Sequence, residues 1–147
     1  MFYYKNQKFH KKGIAFAIPD GTYLLEYEKE SDELFEIAVT DDLFRITLGF
    51  ECAEPSEYFN SDDFKDLYTV IEEPKDVSIG SLHGQRAIYE ADAEKCYEYR
   101  LATTDKNGVS STFFVLIRTD KSETDISSVC NHPAVTELFK SLEVSKE

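Results

Sequence analysis

Residues 34–50 read LFEIAVTDDLFRITLGF, two runs in which apolar and polar positions alternate around Asp41-Asp42. A period of two places successive side chains on opposite faces, so each run predicts a strand with one buried side. Folding the chain back at the two aspartates sets Thr40 opposite Leu43, Val39 opposite Phe44, Ile37 opposite Ile46 and Phe35 opposite Leu48. The large apolar side chains then share one face, and Glu36, Ala38, Arg45 and Thr47 share the other. Slipping the pairing by one residue would scatter both sets, so the pattern itself fixes the register. Asp-Asp is not a preferred two-residue turn, and alternation rather than loop chemistry carries this expectation.

The same reading extends along the chain. MFYYKNQKF and IAFAI predict two short strands joined through Gly13, and Pro19-Asp20-Gly21 ends the second. TYLLEYE resumes extended structure before an acidic, turn-prone stretch. Beyond Pro55 the period changes. Ser61 is suited to cap a helix, Asp62 and Asp63 to its positive end, and Phe64, Leu67, Tyr68 and Ile71 fall at i, i+3, i+4 and i+7. Strands follow at VSIGSL, QRAIYEA and KCYEYRLATT. The DKNG at 105–108 predicts a hairpin, with Gly108 supplying the positive φ of its turn. It leads into TFFVLIR, apolar at five consecutive positions, which implies a strand covered on both faces. A second helix closes the chain, with Pro133 in its first turn and Val135, Leu138, Phe139 and Leu142 in helical spacing. The pattern predicts one α+β domain over residues 1–147, with a sheet that carries helices or other cover on each side.

Composition narrows the partners. The net charge is −13, and because Lys5, Lys8, Lys11 and Lys12 precede the first acid, about −17 lies on residues 13–147. Phosphate backbones need Lys and Arg contacts for most of their affinity, which argues against nucleic acid. No run approaches the 18 or so apolar residues of a membrane span. The N-terminus lacks an apolar signal-peptide core, and an intracellular, cytoplasmic protein is expected.

Candidate chemistry is sparse. Cys52, Cys96 and Cys130 match no zinc spacing, and no metal or cofactor is expected. Cys130 lies two residues before His132, just ahead of the last helix. Catalysis there needs an ionised thiol bonded to the imidazole and a third group to orient the ring. A helix N-terminus favours the thiolate, but residues two apart in an irregular stretch rarely face each other. With Asn131 or His132 at the cap, a capping role for the histidine beside a structural thiol is the preferred reading. His83, between Gly80 and Gly84, is read as part of a strand connection, with a small hydrolase or transferase using Cys130 or His83 as the rival. Glu98 with Arg100, and Arg86 with Glu90, are read as exposed pairs of little energetic weight. Tyr89, Tyr97 and Tyr99 are the candidate partner-binding residues, since tyrosine joins a rigid apolar body to a polar tip. The alternative places them as sheet tyrosines packed beneath a helix.

GIAFAIPDG, with Phe16, Ile18, Pro19 and Gly21, resembles the opening of the PsbP-like superfamily. Gly84-x-x-Ala87 resembles its mid-chain strand entry, and VTELFKSLE is similar to its C-terminal helix. The resemblance runs over residues 13–143. It departs where Thr22 intervenes before Tyr23, since the family has an aromatic directly after Pro-x-Gly. It implies a six- or seven-stranded antiparallel β-sheet covered by helices, an α/β/α sandwich, in a family whose members mostly bind other proteins. With no catalytic constellation, tyrosine-rich strands and an acidic body, the expected function is a non-enzymatic module that binds a protein or peptide across one sheet face or its rim. The superfamily includes photosystem II subunit P, Ran-binding Mog proteins, bacterial DcrB-type proteins and effector chaperones. An effector-chaperone or immunity-like role is a further alternative. No functional residue of the family is recognised in this chain.

Overall fold

The β4–β5 hairpin forms in the register that alternation dictates. Strand β4 (Leu34–Val39) pairs with β5 (Arg45–Glu51), Phe35 opposite Leu48 and Ile37 opposite Ile46. Those four side chains are buried, whereas Arg45, on the other face, is exposed. The Thr40–Leu43 pairing lies outside the described residues. The computed structural model describes residues 8–11, 13–19, 22–27, 34–39, 44–51, 55–119, 129 and 131–144.

Around this hairpin stand β1 (Lys8–Lys11), β2 (Ile14–Ala17), β3 (Thr22–Tyr27), α1 (Pro55–Phe59), α2 (Asp62–Leu67), β6 (Thr69–Ile79), β7 (Leu82–Ala91), β8 (Glu94–Thr104), β9 (Ser110–Thr119), α3 (Pro133–Ser141) and β10 (Glu143–Val144). Seven strands form one antiparallel sheet in the order β3-β4-β5-β9-β8-β7-β6. The doubly apolar β9 is its central strand. Phe113, Val115 and Ile117 enter the larger core, while Leu116 packs against a second cluster on the opposite face. At 105–108 the hairpin forms as expected. Gly108 has φ 79°, its N–H donates to the Asp105 carbonyl, and the Asp105 carboxylate accepts the N–H groups of Asn107 and Val109.

The cover is less uniformly helical than the resemblance implied. One face carries α1 and α2. The other carries α3 together with a separate small sheet, β1-β2-β10, whose Ile14 and Phe16, with the adjoining Ile18, are fully buried in the larger core. IAFAI is therefore a strand of the cover, not of the platform.

The helix expected to run through Ile71 stops at Leu67. Tyr68 is extended (φ −126°, ψ 149°), its N–H closing the last turn onto the Phe64 carbonyl. Residues 69–79 are the edge strand β6. The segment TVIEEPK is rich in β-branched residues and contains Pro74, which a helix interior does not accept, and pairing with β7 outweighs the apolar spacing. Of the four side chains in that spacing Phe64 is buried, but Leu67 is 70% and Ile71 46% exposed. VSIGSL is likewise no single strand, because Gly80 and Ser81 turn the chain from β6 into β7.

Gly84 and Ala87 have a packing reason. A Cβ at Gly84 would run into the Arg100 carbonyl of β8. Ala87, fully buried, sits in the cluster beneath the helices with Phe59, Phe64, Tyr89 and Cys96.

Candidate functional site

Alternation along β8 sends Tyr97, Tyr99 and Leu101 into the larger core and Cys96, Glu98 and Arg100 to the face beneath α1 and α2. Glu98 and Arg100 are 1% and 2% exposed, so they are not the surface pair the sequence suggested. Their strand neighbours on β9 are Leu116 and Phe114, which leave water little access. Arg100 Nε donates to Glu98 Oε2 at 2.6 Å, and the Tyr89 hydroxyl from β7 donates to Glu98 Oε1. Arg100 also donates through Nη1 to Glu51 Oε2 at 2.9 Å, reaching a half-exposed carboxylate at the end of β5. Helix α1 lays the Tyr58 ring over the guanidinium, 3.3 Å from ring centroid to Cζ, and Phe114 lies 5.4 Å from it.

The electrostatics follow from burial. Loss of water pushes the Glu98 carboxyl above its ordinary range, although Arg100 and the Tyr89 hydroxyl pull it down. Burial also works against the charge on Arg100, but there Glu98 and Glu51 outweigh it and hold the guanidinium charged. Burial, reinforced by Glu98, drives the Tyr58 and Tyr89 phenols well above their ordinary 10.0, so Tyr89 stays protonated as a donor. These groups satisfy one another. The arrangement is a closed cation–carboxylate–phenol network that joins α1 to three strands, and its chemistry is that of a fastening.

The residues singled out in the sequence do not converge. Tyr89 points beneath α1 and α2, whereas Tyr97 and Tyr99 point into the opposite core, and all three are buried (2%, 0% and 5% exposed). They line no shared groove, because Tyr89 and the other two project from opposite sides of the sheet. His132 is the cap of α3, its Nδ1 accepting the Ala134 N–H at 3.1 Å and its ring edge-on to Phe44. Cys130 and Cys52 lie outside the described residues. His83 is exposed on β7 and shares a 2.8 Å hydrogen bond with the Ser78 hydroxyl across the β6–β7 hairpin. Cys96 faces Tyr89, six residues along β7 from His83 and so roughly 20 Å away. Burial raises the Cys96 thiol to about 12. Arg86 bonds to Glu72 of β6 at 2.8 Å, not to Glu90. Among the described residues no group of three His, Cys, Asp or Glu side chains is placed to hold a metal ion.

Sequence reasoning missed the Glu98–Arg100 network, although a signal existed. Phe114 and Leu116 already required cover on that face of β9, and the same cover extends over Glu98 and Arg100 on the adjacent strand.

No family model matches the chain, and no curated protein matches it. Solved structures do. Mog1p of Saccharomyces cerevisiae, described as a Ran-binding protein, matches with a TM-score of 0.54 at 11% identity, over 97% of this chain and 96% of that one. The chain has the PsbP-like, Mog1-type fold. LpqN of Mycobacterium tuberculosis, described as involved in cell envelope biogenesis, shares it with a TM-score of 0.59 at 11% identity, over 95% and 90% of the two chains. A structure from Bacteroides thetaiotaomicron matches with a TM-score of 0.51 at 14% identity, and there the chain spans 50% of the other's length. At these identities the likeness is one of Mog1-type architecture. No helix of the described residues is long and apolar enough to cross a membrane.

Proposed function

We propose that this chain is a non-enzymatic binding module that engages a protein or peptide partner. The observation that carries the reading is the Mog1-type fold, matched along nearly the whole chain to a Ran-binding protein. The chemistry is consistent with it, because Glu98, Arg100 and Tyr89 of the interior are spent on one another in a fastening between helix and sheet. Ran itself is not carried over at 11% identity.

The test is affinity capture from the native host, followed by titration of each purified candidate against the purified chain. Saturable binding at micromolar or tighter affinity with fixed stoichiometry is the expected result. Turnover of an ester, amide or phosphoryl substrate that disappears in His83→Ala, with no candidate binding saturably, would overturn the reading in favour of a hydrolase.

A further inference from the structure

The α1–α2 segment leaves β5, third in the sheet, and reaches β6 at the far edge, lying over β8 and β7 on the way. It is a strap across one face. Its helices have five and six residues, far below the roughly 12–15 that a helix needs to persist alone. What holds it is an aromatic cluster that is partly internal to the strap and partly seated on Ala87, Tyr89 and Cys96 of the sheet. Tyr58 packs on Phe59 and Phe64, Phe59 on Phe64, and Phe64 on Tyr68, with centroids 5.2–5.3 Å apart. Toward the sheet, Phe64 and Tyr68 meet the Tyr89 ring. Contacts internal to the strap survive if it lifts as a unit.

What the strap covers offsets part of the cost of lifting, which includes the Tyr58 ring leaving Arg100. Uncovering apolar surface costs about 25 cal/mol per Å². Beneath α1, however, lie Glu98 and Arg100, which regain hydration when exposed, and a buried pair of this kind gains little over water to begin with. Leu67, 70% exposed, adds nothing to the seal.

We propose that α1–α2 is a lid that opens as one unit while the seven-stranded sheet beneath keeps its register, uncovering Glu98, Arg100 and Tyr89. That the uncovered face serves a partner rests on the binding-module reading; the motion belongs to the free chain. Native-state hydrogen exchange of the whole chain at low denaturant tests it without any partner. The Lys65 and Tyr68 amides, bonded to Ser61 and Phe64 carbonyls, should exchange as one set with a common, shallow denaturant slope. They should exchange at least about a hundredfold faster than amides of β8 and β9. Tyr58→Ala should speed the strap set roughly tenfold further and leave β8 and β9 unchanged. Exchange of the strap only with the steep slope of β8 and β9, or residue-by-residue fraying without a common slope, overturns the lid. Either result would leave the binding reading standing, and failure to find a partner would leave the lid standing.

Discussion

The two faces of the sheet solve the same covering problem with different forces. Beneath β2 and α3, Phe35, Ile46, Leu48, Phe113, Val115 and Ile117 meet Ile14, Phe16, Val135 and Leu138 in a large apolar core. Beneath α1 and α2, strands β7 and β8 present Glu98 and Arg100 among Tyr89, Ala87 and Cys96, closed over by aromatic rings. Burial on the first face is non-directional and scales with area, so it stabilises without fixing how the cover sits. On the second, the bonds are directional and their net energy is small, because desolvation offsets most of the attraction. The first face holds the fold together. The second specifies where one segment lies, and does so weakly enough for that segment to move.

Mutation should separate the two. Phe113→Ala removes a fully buried ring that touches Phe16 and Phe50, and should cost about 3–5 kcal/mol in denaturant unfolding, the full price of a cavity that cannot collapse. Glu98→Ala should also cost about 3 kcal/mol or more, since it strands a buried guanidinium, yet the double variant Glu98→Met/Arg100→Met should recover most of that loss or exceed wild type. A double variant as unstable as the single would show that the network stabilises in its own right and would erase the contrast between the faces.

A smaller effect belongs to the first face. His132→Ala deletes the side-chain acceptor for the Ala134 N–H at the start of α3 and should cost about 1 kcal/mol, with no change in exchange of the strap.

The pH dependence belongs to the second face. The folded pKa of Glu98 lies above the ordinary carboxyl value of 4.5, so the folded chain binds that proton more tightly than the unfolded chain does. Its contribution is complete below that value and is lost as pH rises through the folded pKa. Glu98→Gln should therefore flatten the fall in stability above 4.5, read from denaturation midpoints across that range. Glu72 acts oppositely. Hydrogen bonds from Lys75 and Arg86 lower its pKa, and its small contribution fades in acid. Least affected is Cys96, whose thiol, pushed up to about 12, should resist alkylation at neutral pH until the chain unfolds. Rapid native labelling at that position would mean the strap face is far more open than a closed lid allows.

Much of the architecture could be read directly. Alternation set the β4–β5 register because a one-residue slip would move Ile37 and Ile46 out of the core, and the run around Val115 announced a strand with cover on both sides. His132 could be placed at a helix start because Pro133 and the apolar spacing behind it leave few other roles. These features depend on neighbours in sequence, where period and steric preference act alone. What remained hidden depends on neighbours in space. Residues 64–71 carry a helical spacing, and only the free edge of β7 turned its second half into a strand. Glu98 and Arg100 look like surface charges until α1 arrives from far along the chain with Tyr58. The sequence by itself determined the β4–β5 hairpin with its faces and the double cover of β9, since local periodicity suffices for those. Tertiary structure alone decided which charges lose their water, because desolvation is set by whatever covers a residue, and that covering segment is assigned by the fold.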